Sequence, residues 1–124
     1  MNITLWIIAA LLGLLFLAAG TMKITQPKAK LAAGGQGWVE GFSDGAVKGI
    51  GGLELLAALG LILPGLLNIA TFLVPLAAAG LFLLMAGAAV THARRGEKTN
   101  VIVNAILGFL AAGVAIARFG PYGF

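Results

Sequence analysis

A single carboxylate, Glu54, lies in the stretch GGLELLAALGLILPG (51–65), whose other residues are glycine, leucine, alanine, isoleucine and proline. An ionised or unpaired polar group in hydrocarbon costs at least about 2 to 3 kcal/mol on insertion scales, so such a group usually faces a protein interior or water. A buried acid of this kind can exchange a proton or hold a polar ligand. Glu54 is therefore the first candidate for a functional residue.

Three further side chains, Lys23, His92 and Asn104, could act together with Glu54. A nearby lysine would keep the carboxylate ionised, whereas burial without a cation would keep it protonated, and the sequence leaves both states open. An imidazole suits proton transfer, although His92 stands beside two arginines, where an interfacial role is the alternative. A buried network that only fixes the register of the helices is the structural alternative for the whole set.

Other reaction types lack the residues that they need. The chain has no cysteine and one histidine, which excludes disulfides, thiol relays and a metal site of the usual ligand spacing. No Ser-His-acid triad is indicated, and GGQG (34–37) is a flexible loop and not a nucleotide fingerprint. No metal is expected, and these residues alone leave the cofactor unknown.

The composition indicates where these side chains are held. Of the 124 residues, 60% are hydrophobic and 10% charged, and the mean hydropathy is +1.06, which is typical of an integral membrane protein in contact with a lipid bilayer. The net charge of +4 is carried by short basic clusters beside apolar stretches, so we expect no nucleic-acid partner. A single domain over residues 1–124 is expected.

Spanning helices of about 20 apolar residues divide the chain into four segments, at about 3–22, 47–63, 66–91 and 99–117. The first run lacks a basic region at its front and is long for a signal peptide, so it is expected to be retained as a span. Pro64 and Gly65 are predicted to form the turn between the second and third spans, and Pro75 is predicted to kink the third. The fold class is all-α, a polytopic four-transmembrane-helix bundle with a longer loop between the first two spans.

The basic residues predict the orientation of this bundle. Lysines and arginines cluster in the loop between the first two spans and its flanks and in HARRGEK (92–98), whereas the opposite side has Arg118. Basic loops stay in the cytoplasm, so both termini are expected outside, in the bacterial inner membrane if the host is a bacterium.

This orientation places polar groups from all four spans in one layer. Glu54 follows Lys48 by six residues and Asn104 follows Lys98 by six, which puts each about 9 Å above the cytoplasmic boundary. The inner ends of the first and third spans approach the same depth. Lys23, Glu54 and His92 are therefore predicted as catalytic residues, and the predicted ligand-binding residues are Asn104, Thr21, Thr91 and Trp38.

The first loop contains two aromatic residues, Trp38 and Phe42, four positions apart among glycines and acids. Such a segment is either a wet linker that rests on lipid headgroups or a lid over a cavity between the helices. Ser43 or Asp44 could cap the second span. Small residues within the spans allow close helix packing inside the chain, with contacts in a homo-oligomer as the alternative.

The pattern resembles the DoxX-like membrane proteins. LAAGTMKITQP (17–27), GGLELLAALGLILP (51–64), AGAAVTHARRGE (86–97) and NAILGFLAAG (104–113) carry the resemblance, which covers essentially the whole chain. It implies a four-helix membrane bundle with Lys23, Glu54, His92 and Asn104 as the matching polar positions. The family takes its name from a membrane component associated with thiosulfate:quinone oxidoreductase, and relatives are linked to membrane redox complexes.

Three classes of function remain. The leading hypothesis is a membrane redox-complex subunit or proton-transfer enzyme that binds a lipophilic small molecule, quinone-like or isoprenoid-like. Glu54 would exchange the proton, Lys23 and His92 would tune it, and Asn104 would orient the ligand. The alternatives are a proton-coupled small exporter and a non-catalytic adaptor that recruits a partner through its basic loops. A membrane or cytoplasmic redox partner is expected in the first case, and whether the chain is an enzyme stays open.

Overall fold

A computed structural model of the protein describes residues 2–34 and 37–123. Four long helices follow one another along the chain: α1 (Asn2–Thr25), α3 (Asp44–Leu67), α4 (Leu73–Arg94) and α5 (Lys98–Phe119). Two short elements, α2 (Lys28–Ala33) and the 3-10 helix η1 (Gly37–Gly41), lie between α1 and α3. The part of the chain that the structure describes has no strand, so the prediction of an all-α bundle is confirmed.

The four long helices match the requirements of a bilayer. The two longest have 24 residues, which corresponds to about 36 Å of helix. Each of the four is long and apolar enough to cross a membrane, and large side chains such as Leu14, Leu56 and Ile106 are exposed on their outer faces. The chain is therefore an integral membrane protein.

The helices pack as two pairs. α1 packs mainly against α3, α4 packs mainly against α5, and contacts between α3 and α4 join the pairs. The half of the bundle that holds the chain termini is filled by an apolar cluster that includes Leu5, Leu61, Val74 and Val114. The space between the helices in the opposite half is only partly filled, which leaves room there for a site.

The loop between the first two spans folds into a compact structure, here named the cap, which consists of α2, η1 and Phe42. Leu31 and Val39 of the cap are buried against Val47 of α3. The Ser43 hydroxyl accepts a hydrogen bond from the Ala46 amide at 3.1 Å and caps α3, so Ser43 is the capping residue of the two predicted. The cap has its own small core, which a wet linker would lack.

The turn between the second and third spans differs from the prediction. α3 continues through Pro64 to Leu67. Pro64 has no N–H to donate, but its carbonyl still accepts hydrogen bonds from the amides of Asn68 and Ile69, so the last turn forms. The chain then reverses over 68–72, where Asn68 and Ala70 have φ of 53° and 48°.

The predicted kink in the third span is also corrected. α4 begins at Leu73, so Pro75 lies in its first turn, where backbone N–H groups have no acceptor within the helix. Pro75 therefore starts the helix and does not kink it.

Candidate functional site

The centre of the partly filled half is an ion pair between α1 and α3. Lys23 Nζ lies 2.7 Å from Glu54 Oε1, and the two side chains are 9% and 4% exposed. Gly20 and Gly51 allow the two helices to meet here, since a Cβ on Gly20 would lie 2.6 Å from the Gly51 carbonyl oxygen. The ion pair depends on this close approach. A Cβ on Gly51 would lie only 2.8 Å from Lys23 Cβ, so a larger residue there would push α1, and Lys23 with it, away from α3.

The cap covers this ion pair with aromatic rings. Lys23 Nζ lies 5.7 Å from the centre of the Trp38 ring, within the range of a cation–π interaction. Trp38 in turn makes edge contacts with Phe42 at 5.6 Å and with His92 at 6.4 Å between ring centres. Of the two interpretations of the first loop, the geometry favours the lid.

The turn between α4 and α5 holds a second group of polar residues. Gly96 has a φ of 72°, and the amides of Gly96 and Glu97 bond back to the carbonyls of Ala93 and His92 in a Schellman arrangement. This turn folds Glu97 back onto the histidine, so that His92 Nδ1 and Glu97 Oε1 lie 2.8 Å apart.

The hydrogen bonds of this group indicate which nitrogen of the His92 ring carries the hydrogen that faces Glu97. Glu97 Oε1 also accepts from Arg95 Nε at 3.0 Å, so it acts as a carboxylate and His92 Nδ1 must donate to it. Asn100 Nδ2 lies 3.2 Å from the same Nδ1, which therefore cannot accept its hydrogen. The hydrogen bond from His92, assisted by Arg95, holds the pKa of Glu97 below the ordinary value of 4.5. In the neutral ring, Nε2 remains as an acceptor.

These groups surround a cavity of about 590 Å³ between the four long helices and the cap. Its wall is mostly apolar and includes Leu15, Phe16, Ile50, Met85 and Val103. The polar side chains that line it are Lys23, Glu54, Thr91, His92, Asn100 and Asn104. An apolar cavity of this size with a few convergent polar groups is typical of a site for a small molecule.

Two polar atoms of this cavity are not fully used by the protein. Asn104 Nδ2 is buried and has no hydrogen-bond partner among residues 2–34 and 37–123. Glu54 Oε1 is likewise buried and contacts Lys23 Nζ at 2.7 Å, and because a carboxylate oxygen has two lone pairs, it can accept a second hydrogen bond. Buried polar atoms are normally satisfied, so this pair of atoms points to a missing polar group.

The contact between α1 and α5 is weak beside the cavity, and side chains of both helices that line it are exposed to lipid. These helices contact each other less than the α1–α3 and α4–α5 pairs do, and Arg118 of α5 bonds Asn2 of α1 at 2.7 Å at the far end of the bundle. Leu15 and Val103, which line the cavity from the two helices, are 46% and 47% exposed. A lipophilic molecule could therefore enter from the bilayer.

The structure brings most of the predicted site residues together and places one elsewhere. Lys23, Trp38, Glu54, Thr91, His92 and Asn104 all line the cavity. Thr21 does not, because it precedes Lys23 by two residues, or about 200° of helix, and its exposed hydroxyl donates to the Leu17 carbonyl. The Thr91 hydroxyl donates to the Gly87 carbonyl, so its hydrogen is used within α4.

The sequence interpretation missed Asn100 and the link from Glu97 to His92. Asn100 precedes Asn104 by four residues, the spacing that places two side chains on one helix face, and this signal was available. No group of three or more His, Cys, Asp or Glu side chains suited to a metal ion occurs among the residues that the structure describes.

Comparisons with known proteins agree with this architecture. Searches of curated proteins and of solved structures each found no significant match. The model of the DoxX-like family matches residues 7–114, a range that contains α3 and α4 whole, most of α1 and α5, and Lys23, Glu54, His92 and Asn104 of the polar layer. The chain belongs to the DoxX-like family.

Proposed function

We propose that this protein binds a lipophilic small molecule, quinone-like or isoprenoid-like, with its polar head in the cavity around Glu54. The observation that supports this most is the combination of an apolar cavity of about 590 Å³ with two buried, incompletely satisfied polar atoms, Glu54 Oε1 and Asn104 Nδ2. Bundles that only fix helix register fill such space and satisfy such atoms.

The polar side chains would have distinct roles toward this ligand. Asn104 Nδ2 would donate to a ligand oxygen and orient the head group. Glu54 would exchange a proton with it: the carboxylate that Lys23 keeps ionised would accept the proton and later release it. Trp38 would cover the head group from the cap.

A redox role follows if the ligand is a quinone. The protein would then act as a membrane subunit that supplies protons while a redox partner, in the membrane or at its surface, reduces the quinone with its electrons. In the reverse direction it would accept protons from the hydroquinone while the partner accepts the electrons. A quinone carries the electron chemistry itself, and the chain's own residues bind, orient and exchange protons.

The two alternative functions fit the site less well. In a cation exporter, the substrate and a proton compete for the acid, but Lys23 already neutralises Glu54 at 2.7 Å and would repel a cationic substrate. An adaptor that recruits partners through its basic loops has no use for a cavity with unsatisfied polar atoms.

The test compares two substitutions on α4 that add the same ring. Ala88 lines the cavity, whereas Ala86 is exposed on the outer surface of the helix and does not line it. The wild type, Ala88→Phe and Ala86→Phe are purified from native membranes, and the lipophilic molecules that remain bound are extracted and quantified by mass spectrometry.

We expect one lipophile with an oxygen-bearing head group to accompany the wild type and Ala86→Phe in near-stoichiometric amount. It should be depleted at least about tenfold in Ala88→Phe, because the added ring fills the space of the ligand. Equal recovery from both variants, or no retained lipophile other than bulk lipid, would contradict the proposed function.

A further inference from the structure

The two incompletely satisfied atoms differ in what they require from a ligand. Asn104 Nδ2 belongs to an amide NH₂ group and needs an acceptor. Glu54 Oε1 belongs to a carboxyl group, whose requirement depends on its charge: an ionised oxygen needs a donor, whereas a protonated one can donate. The charge of Glu54 therefore decides which head group the cavity fits.

The surroundings of Lys23 determine that charge. The ammonium lies between the carboxylate, at 2.7 Å, and the Trp38 ring, at 5.7 Å from its centre. Both neighbours suit an ammonium group, because a negative oxygen and the face of an aromatic ring each attract a cation. The 2.7 Å contact is the geometry of an ammonium paired with a carboxylate, whose oxygens accept hydrogen bonds and do not donate them.

We infer that the cavity selects lipophilic molecules whose head group is a hydroxyl, an alcohol or phenol, over molecules whose head group is a carbonyl or an ether. This inference rests on the proposed function and names its ligand class. A hydroxyl offers both kinds of hydrogen bond, since its O–H can donate to the Glu54 carboxylate and its lone pairs can accept from the Asn104 amide. A carbonyl or ether oxygen satisfies Asn104 alone and turns its lone pairs toward the carboxylate.

For a quinone-like ligand, this selection has a direct consequence. The reduced form carries phenolic hydroxyls and the oxidised form carries carbonyls, so the cavity prefers the reduced form. The hydrogen bond that a hydroxyl donates to a buried carboxylate is charge-assisted, and it is stronger than a hydrogen bond between two neutral groups. The exposed Leu15 and Val103 of α1 and α5 leave the apolar tail of the ligand in lipid.

The test uses a matched pair of redox-inert probes, a ring-brominated alkylphenol and its methyl ether. The protein carries Trp6→Phe, so that Trp38 in the cavity wall is the remaining tryptophan. Bromine quenches tryptophan emission, and binding is measured as quenching against the mole fraction of each probe in lipid vesicles. Phe109→Leu, a change at an 81% exposed side chain away from the cavity, is the control.

We expect the phenol to bind at least about tenfold more tightly than the ether in the wild-type cavity and in Phe109→Leu, the ratio expected for a hydrogen bond to a charged group. Glu54→Gln should reduce the ratio to less than about threefold, because the amide can donate to the ether oxygen. A ratio caused by the bulk of the methyl group would persist in Glu54→Gln, since the two side chains have the same size.

Asn104→Leu separates the two contacts further. It should weaken both probes by a similar factor and leave the ratio unchanged, because both offer an oxygen to the Asn104 amide. Equal binding of phenol and ether to the wild type, or a ratio that survives Glu54→Gln, would overturn the selection of hydroxyls while ligand binding itself stands. Quenching by neither probe would overturn both the selection and the proposed function.

Discussion

Lys23 and Glu54 form a buried pair in which each side chain depends on the other. Removing one member of such a pair leaves an uncompensated charge in an apolar setting, which typically costs about 3 to 5 kcal/mol. We therefore expect Lys23→Met to lower the free energy of unfolding by about 3 kcal/mol, measured by titration with a denaturing detergent in mixed micelles. Lys48→Met is the control, because Lys48 is an exposed lysine near the same end of the bundle.

The double variant Lys23→Met, Glu54→Leu tests whether this cost arises from the pair. It should be at least about 1 kcal/mol more stable than the sum of the two single changes predicts, since it leaves no isolated charge. The two charges would not stabilise each other if the losses of unfolding free energy in the single variants simply add up in the double variant. The same conclusion would follow if Lys23→Met lowered the free energy of unfolding no more than Lys48→Met does.

Glu97 gives a prediction outside the spans. The hydrogen bond from His92 and the charge of Arg95 lower the pKa of Glu97 below 4.5. A lowered folded-state pKa contributes stability that is complete well above pH 4.5 and is lost as the pH falls through the folded-state value. We expect His92→Ala to raise the pKa of Glu97 toward 4.5, measured by NMR titration of its carboxyl carbon.

Arg94→Gln serves as the control for this titration, because Arg94 is a neighbouring cation that is not among the residues bonded to Glu97. It should shift the pKa of Glu97 much less than His92→Ala does. An unchanged pKa in His92→Ala would mean that His92 does not hold the carboxylate, and the assignment of a proton to Nδ1 would then lose its basis.

The crossing of α1 and α3 carries the ion pair and provides a matched pair of substitutions. A Cβ on Gly51 would lie 2.8 Å from Lys23 Cβ and 2.9 Å from the Gly20 carbonyl oxygen, whereas a Cβ on Gly52 would meet nothing within 4 Å. Gly51→Ala should separate the helices, cost about 1 to 3 kcal/mol of unfolding free energy and weaken phenol binding at Trp38. Gly52→Ala should be neutral or slightly stabilising, because alanine favours helix more than glycine does. Similar effects of the two changes would contradict the close crossing.

Most of the helices could be predicted from the sequence, and the turns could not. Apolar length alone indicates four spans, because a bilayer demands it. The two prolines were misinterpreted because the sequence does not show which helical turn a proline occupies. Pro75 lies in a first turn, where N–H groups have no acceptor within the helix, and Pro64 lies in a last turn, where its own carbonyl still accepts hydrogen bonds. The cap was equally hidden, since its small core of Leu31, Val39 and Val47 depends on contacts between separate segments.

The candidate site could also be predicted from the sequence only in part. Depth along the helices grouped Glu54 with Asn104, each six residues from a basic boundary, and with Lys23 and His92 at the inner helix ends; all four line the cavity. Depth does not specify the direction around a helix, and Thr21 was therefore included although it faces away from the cavity. The left-handed turn at Gly96 that brings Glu97 to His92 depends on backbone angles that HARRGEK alone does not reveal.

The distribution of charge over the bundle predicts how the protein sits in the membrane. Of the eight lysines and arginines, all but Arg118 lie at the end that holds the cap and the turn between α4 and α5. This end is expected in the cytoplasm and the chain termini outside. Because the chain has no cysteine, single cysteines report the topology without background. In intact cells, Tyr122→Cys should react with a membrane-impermeant maleimide, and Ala33→Cys should react only after lysis; the reverse pattern would show the opposite orientation.

The proposal that the cavity around Glu54 binds a ligand is tested most directly by an experimental structure of the protein purified with its native lipids, in which the cavity is inspected for ligand density. We expect one elongated molecule whose head group hydrogen-bonds to the Glu54 carboxylate and to the Asn104 amide and whose tail extends between α1 and α5. A cavity closed by the protein's own side chains, with both atoms bonded inside the bundle, would contradict a ligand site and leave only a packed membrane bundle.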